Sequence, residues 1–295
     1  MKTKVLLDTD IGSDIDDAVC LAYLLAHPDC ELLGITTVTG EAEKRASIAS
    51  ALCKVAGKDI PILPGAETPL LVPQKQPCAQ QAVALHNWEH ETKFPRGEAI
   101  EFLQHTIRSY PGEVVLLAIA PLTNIGLLFS VDPEIPSLLK GLVMMCGRFS
   151  DRVQGNYAPV EGNAAGDPHA AAIVYRSMVA SHRSVGVDVT SWVTMSAGEF
   201  RKKFREYKLG GPVLDCAEVW FQRFDITTFH DPLAASTIFD EKICKFQRGT
   251  VEVKISDEES LGKTCWKEGG ANSPHEVAVG VDRERFFEHY FSVLR

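Results

Sequence analysis

The stretch Val5-Leu6-Leu7-Asp8-Thr9-Asp10-Ile11-Gly12-Ser13-Asp14-Ile15-Asp16-Asp17-Ala18-Val19-Cys20-Leu21-Ala22-Tyr23-Leu24-Leu25 decides the fold class. Val5-Leu6-Leu7 reads as a short buried strand, and the segment from Ala18 to Leu25 reads as a helix. The residues between them form a loop at the carboxyl end of the strand, the edge where open α/β sheets bind ligands. Five carboxylates, Asp8, Asp10, Asp14, Asp16 and Asp17, fall in that loop. So crowded, they repel one another unless protons or a cation compensate, and hard carboxylate oxygens suit Ca²⁺ or Mg²⁺. Helix capping accounts for one or two acids at such a place, but not for five. An EF-hand fits poorly, because Gly12 is misplaced and Val19 stands where its bidentate Glu belongs. An Asp-x-Asp-x-Thr phosphatase loop fails as well, since Gly12 replaces the Thr.

Outward from this loop, strand-like and helix-period segments alternate, as expected for repeated βα units around a mainly parallel, buried sheet. Strands are predicted at Lys4–Leu7, Glu31–Val38, Ile60–Leu63, Glu113–Ala120, Gly141–Cys146 and Ser184–Asp188. Helices are predicted at Asp16–Ala26, Glu41–Ala56, Gly97–Ser109, Asn124–Phe129, Asp167–Met178, Ala197–Glu206 and Asp231–Ile238. Beyond Lys245 the pattern is strand-like at Thr250–Ile255 and Glu276–Val281, then closes on a helix, Arg283–Leu294. The expected architecture is α/β, a doubly wound, Rossmann-like sheet flanked by helices, in one domain spanning residues 1–295. Two irregular stretches, Thr68–Pro95 and Arg148–Gly166, interrupt the alternation, and long irregular segments in compact domains are often functional.

The chain has 295 residues, 45% of them hydrophobic, enough for a substantial core. A formal charge of −9 argues against nucleic acid or an anionic membrane as partner and favours a small ligand. Eight cysteines without C-x-x-C pairs or zinc spacing read as reduced core thiols of a cytoplasmic protein. Met1 to Lys4 begins like a signal peptide, but Asp8 breaks the apolar run after Leu7, and Val114 to Leu122 is too short to span a bilayer.

The acidic loop resembles that of the inosine-uridine preferring nucleoside hydrolase family, whose first strand ends in Asp-x-Asp-x-Gly…Asp-Asp-Ala; here Asp8-Thr9-Asp10-Ile11-Gly12, then Asp16-Asp17-Ala18. Further landmarks follow in the family's order: Leu33-Gly34-Ile35-Thr36-Thr37-Val38, Pro121-Leu122-Thr123-Asn124, Met144-Met145-Cys146-Gly147, Asn156…Glu161-Gly162-Asn163…Asp167-Pro168 and His230-Asp231-Pro232. The resemblance implies hydrolysis of ribonucleosides to free base and ribose. It implies a Ca²⁺ held by Asp10, Asp17, Asp231 and a main-chain carbonyl near Ile119. Water on that ion would be activated by Asp10 as general base, attacking an anomeric carbon of oxocarbenium character. By the same resemblance Asp16, Asn156, Glu161, Asn163 and Met145 bind the substrate, His86 points at the base, and His230 is the general acid, with a proton to give near neutral pH. A homo-oligomer, dimer or tetramer, is implied too.

The pattern departs from the family in places. Two extra residues between Gly12 and Asp16 leave open whether Asp14 takes one of the assigned roles. Glu41 stands where the family commonly has Asn, either beside the ribose or at a helix start. The run Val219-Trp220-Phe221-Gln222-Arg223-Phe224 either stacks on a base or belongs to a helix core, and Trp192 and Phe229 pose the same choice. Two other readings stay open: hydrolysis of a related N-riboside, and nucleoside or ribose binding with little turnover on the same scaffold.

Overall fold

A computed structural model describes residues 2–295; of the expected elements only Met1, in the predicted start of the domain, lies outside them. Its centre is a nine-stranded sheet built from β1 (Thr3–Thr9), β2 (Cys30–Thr37), β3 (Ile62–Pro64), β4 (Val114–Ala118), β5 (Gly141–Met144), β6 (His182–Ser184), β9 (Cys244–Val253), β10 (Thr264–Glu268) and β11 (His275–Val281). Two further strands, β7 (Thr194–Ser196) and β8 (Ile226–Thr228), form a small antiparallel pair. The large sheet runs in the order β10-β9-β11-β6-β5-β4-β1-β2-β3. It is parallel from β3 to β11, with β9 and β10 adding antiparallel pairings at one edge.

The apolar runs exist because the sheet is covered on both faces. Side chains alternate across a strand, so Val5 and Leu7 enter one core cluster while Leu6 enters the other. In β4, Val115 and Leu117 face the first cluster, Val114 and Leu116 the second. The helices Asp16–Ala26, Ala42–Ala56, Gly210–Trp220, His230–Ser236 and Arg283–Val293 close the first face. The helices Ala99–Ser109, Thr123–Val131 and Pro168–Arg176 close the second. Strand β1 sits between β2 and β4, so the chain leaves it in one direction and returns on its other side. A crevice opens at the carboxyl ends there, as it does at such switch points generally.

Several expectations shift. The strand expected at Ser184–Asp188 lies earlier, at His182–Ser184, and Val187–Thr190 is a helical turn. The β-branched run misleads because the chain bends at Gly186, whose carbonyl accepts from the amides of Val189 and Thr190. The stretch Thr250–Ile255 is the end of the longer β9, and the helix Gly210–Trp220 was not foreseen. Each irregular stretch hides a short helix, Gln80–Asn87 of 3₁₀ type and Gly162–Gly166. Six of the eight cysteines are buried, none is in a disulfide, and no helix among the described residues is long and apolar enough to cross a membrane.

Strands β6 and β11 place His182 opposite His275 in the core. His275 is satisfied: Nδ1 accepts from the Val251 amide at 2.9 Å, which assigns Nε2 as the donor to the Tyr175 carbonyl at 2.8 Å. Both ring nitrogens of His182 lack a partner, and its ring stacks on Tyr175 with centroids 5.4 Å apart. Burial pushes its pKa down to about 3, aided by the neighbouring His275. A histidine whose pKa is lower folded than unfolded contributes its full stability above about pH 6.5 and loses it as pH falls toward the folded value. The slope is about 1.4 kcal/mol per pH unit for one such group. Replacing His182 by Phe should therefore shrink the loss of stability between pH 6.5 and pH 5 by about 2 kcal/mol, read from urea unfolding of both proteins. Identical losses would contradict this assignment.

Candidate active site

The crevice at the switch point contains a cavity of about 310 Å³. Its acidic floor is Asp10, Asp14, Asp16 and Asp17 from the loop after β1, with Asp231 from the start of the helix His230–Ser236. Ile119 and Met145, just past β4 and β5, close one side. Tyr157, Glu161 and Asn163 come from the second irregular stretch, and Gln76 from the first. Gly12 lets the loop turn with φ +113°, where a Cβ would also meet Ile48 at 2.8 Å.

The carboxylates divide by what surrounds them. Asp8 is fully buried beneath the cavity; its Oδ1 accepts from Thr36 Oγ1 at 2.6 Å and Asn124 Nδ2 at 2.7 Å, tying β1 to its neighbours. Asp16, Asp17 and Asp231 form a buried trio, one oxygen of each lying within 4.8 Å of the others. Thr9 Oγ1 donates to Asp17 Oδ1, and the Asp231 amide donates to Asp16 Oδ2 at 3.2 Å. Asp10 is buried in the same cavity, although outside the trio. Asp14 is half-buried and accepts from the Ile15 amide at 2.6 Å. Among the described residues no Lys, Arg or His comes within ion-pair distance of any of these carboxylates.

Such a set holds its protons tightly. Burial pushes Asp16 up to about 7 and Asp10 to about 6, the charge of Arg45 and the Gln76 amide restraining the latter. Burial and mutual repulsion raise Asp14, Asp17 and Asp231 well above the usual carboxylate range. A site of hard oxygens, buried and with no ion-paired cation among the described residues, has the donor chemistry of a divalent metal ion.

Glu161 caps the helix Gly162–Gly166. Its carboxylate accepts from the amides of Asn163 at 2.6 Å, Ala164 at 3.0 Å and Gly147 at 2.8 Å, fixing the loop to the end of β5. Asn163 Nδ2 donates to the carbonyls of Ile119 at 3.2 Å and Met145 at 2.8 Å, which leaves Oδ1 as the amide's free acceptor. His230 is held by Thr190 Oγ1 at 2.5 Å on Nδ1 and by the Tyr157 hydroxyl at 3.3 Å on Nε2. Burial pushes its pKa down to about 4, so the ring is neutral near pH 7 in this state rather than carrying the spare proton expected from its residue type.

Of the residues singled out from the sequence, Asp10, Asp14, Asp16, Asp17, Ile119, Met145, Glu161, Asn163, His230 and Asp231 line one cavity. His86, Asn156 and Glu41 do not. His86 and Asn156 are exposed, and His86 Nδ1 bonds only its own turn, at the Val83 carbonyl. Glu41 starts the helix Ala42–Ala56 in a left-handed conformation and turns to Lys44 and the Ala79 amide, the helix-start alternative. Trp220 and Phe224 stack at 4.2 Å and line a second cavity that shares Ser13, Asp14 and Gln76 with the first. Phe229 is core, and Trp192 donates to the Arg152 carbonyl outside the site. Sequence reasoning passed over Gln76 and Tyr157; only an aromatic ring in an Asn/Gly-rich loop marked the latter.

Comparison with known proteins gives a match over residues 5–288 to the model of the inosine-uridine preferring nucleoside hydrolase family. Uridine nucleosidase 1 of Arabidopsis thaliana is 30% identical, covering 97% of this chain and 91% of its own length. The non-specific ribonucleoside hydrolase RihC of Salmonella typhi is 31% identical, over 96% and 94%. A solved plant nucleoside hydrolase, PpNRh1, superposes with a TM-score of 0.84 at 25% identity, covering 100% of this chain and 99% of that one.

The raised carboxyl groups make a sign-definite prediction. A cation needs them ionised, so its binding must expel protons, and affinity must rise with pH. Titrating the metal-free protein with Ca²⁺ at pH 6.5 in buffers of different ionisation enthalpy should show release of about one proton or more, and distinctly less at pH 8.5. Heat independent of the buffer at pH 6.5 would show that the acids are already ionised.

Proposed function

Because the chain belongs to the inosine-uridine preferring nucleoside hydrolase family, and is therefore a hydrolase of N-glycosyl compounds, we propose that the cavity above β1 cleaves ribonucleosides to free base and ribose with Ca²⁺ as cofactor. The observation that carries this reading is the buried carboxylate trio opening into a cavity that also holds Asp10 and His230. Asp10, Asp17, Asp231 and the Ile119 carbonyl are the proposed ligands, with Asp16 close enough to serve both ion and sugar. When bound, the cation neutralises the acids and lowers the cost of deprotonating water.

The chain's own residues divide the remaining work. Asp10, buried in the cavity beside the trio, takes the proton of the attacking water as general base. Asp16 and the free Oδ1 of Asn163 accept hydrogen bonds from ribose hydroxyls, and Glu161 holds Asn163 in place through the helix it caps. The acids around the sugar favour positive charge as the glycosidic bond lengthens. On the other side of that bond, His230 is the proposed donor to the departing base, a role that needs the ring, neutral in this state, to take up a proton when substrate binds; the Tyr157 hydroxyl on its Nε2 is a second donor on the same path. Trp220 and Phe224 offer the base a stacking wall in the adjoining cavity. A homo-oligomer is part of the proposal and is checked by sedimentation.

A panel of purine and pyrimidine ribosides with Ca²⁺, followed by reducing sugar, should show turnover that chelation abolishes and calcium restores. Asp10→Ala should lower kcat by about a hundredfold or more. Nucleoside binding without release of sugar would overturn the enzymatic reading, and activity indifferent to chelator would overturn the metal. His230→Ala should slow inosine or uridine by about a hundredfold while barely touching p-nitrophenyl riboside, whose leaving group needs no proton. An equal loss on both substrates would remove His230 from the acid role.

A further inference from the structure

Behind the acidic loop lies an arginine that neither composition nor motif marks. Arg45, on the helix Ala42–Ala56, is 0% exposed. Its Nε donates to the Gly40 carbonyl at 2.9 Å. Its Nη1 donates to the carbonyls of Asp10 and Ile11, the latter at 3.2 Å, and to Ser13 Oγ at 2.9 Å. Its Nη2 reaches the carbonyls of Gln76 at 3.4 Å and Cys78 at 3.2 Å. All of these acceptors are neutral, and no carboxylate lies within ion-pair distance of it among the described residues.

A buried guanidinium is costly unless its five donors are satisfied, so this one persists because three chain segments converge on it. Two of those segments carry cavity residues, Asp10 and Ser13 on one and Gln76 on the other. The Gln76 Oε1 is itself buried without a partner at the cavity wall. The far half of the acidic loop has a separate tether, Gln81, whose amide and side chain bond the carbonyls of Gly12 and Asp14 at 3.0 and 2.8 Å. Only Arg45 among these joins the Asp10 backbone to the Gln76 segment.

We infer that Arg45 is a positioning residue of the reaction: one guanidinium fork fixes the backbone that carries Asp10 and the wall that carries Gln76, and thereby sets where the Asp10 carboxylate stands relative to Asp16, Asp17 and Asp231. The inference rests on the proposed calcium-dependent hydrolysis. It requires the planar fork and not merely a positive charge, because one ammonium cannot span acceptors on three segments.

Arg45→Lys keeps the charge and loses the fork. It should bind Ca²⁺ about tenfold or more weakly, the loss typical when a residue orienting metal ligands is removed, and its kcat should fall comparably at saturating Ca²⁺ while KM moves little. Arg183→Lys is the control for losing an arginine as such, since Arg183 bonds Glu276, Glu241 and the Thr237 carbonyl; it should lower the urea midpoint and leave calcium affinity alone. A folded Arg45→Lys protein with native calcium affinity and kcat, whatever its stability, overturns the inference. Should that variant not fold, Ser13→Ala decides, removing one acceptor of the fork: calcium affinity about threefold weaker supports the inference, and unchanged affinity overturns it. Wild-type protein measured alongside separates the two ideas: absence of calcium binding or turnover there defeats the proposed function and the role of Arg45 with it, whereas an active, calcium-binding wild type beside an Arg45→Lys protein of native affinity and kcat defeats the role of Arg45 alone.

Discussion

Negative charge confined where water is scarce governs this molecule. Asp10, Asp16, Asp17 and Asp231 are each at most 5% exposed, within a space small enough that every one feels the others. Such a group cannot be fully ionised without a counter-charge, and among the described residues no Lys, Arg or His side chain stands within ion-pair distance of it. The sheet makes the confinement possible. Loops leave β1 and β4 in diverging directions, and the resulting crevice is deep enough to bury carboxylates while it opens into a cavity of about 310 Å³.

The same topology also employs acids whose oxygens bond the protein itself. Asp8 stands on β1 two residues before Asp10 and spends its Oδ1 on Thr36 and Asn124, and Asn124 in turn bonds the Thr37 carbonyl and the Ala66 amide. Asp167 accepts from Thr123, the Leu70 amide and the Ala170 amide. Glu161 accepts three amides. These carboxylates take the place of backbone partners where strands end and helices begin, so they hold the rim rigid around the group that is left bare. A charge-assisted bond to a backbone amide is about twice as strong as a neutral one, which suits acids to that task.

The alternation of strand and helix was legible because burial on both faces of the sheet forces apolar runs, and the acidic loop was legible because repulsion makes such a cluster improbable without purpose. The limits follow from the same physics. His86 and Asn156 were placed by analogy within irregular stretches, where no periodicity constrains which side chain turns inward; in the structure Gln76 and Tyr157 face the cavity while those two are exposed. Arg45 reads from sequence as one more charge in the solvated run Glu41-Ala42-Glu43-Lys44-Arg45, because only the tertiary fold reveals six oxygen acceptors around it. His230 was legible by position, yet its protonation was not, since burial lies outside any motif.

Residues at strand ends and residues on loops meet different demands here. The side that would hold ribose is made from Asp10, Asp16, Asn163 and Asp231, each a few residues from an element of the core or tied to it by backbone bonds. The side that would hold the base is made from Gln76, Tyr157, Trp220 and Phe224, carried by irregular segments and a helix end. A sugar is the same in every ribonucleoside and its reacting carbon tolerates little misplacement, so rigid support is useful there. Bases differ in size and polarity, and segments free of sheet register can change without disturbing the core. On the proposed reading, the rigid strand ends serve the ribosyl side of the reaction, and the choice of base falls to the residues least constrained by the fold.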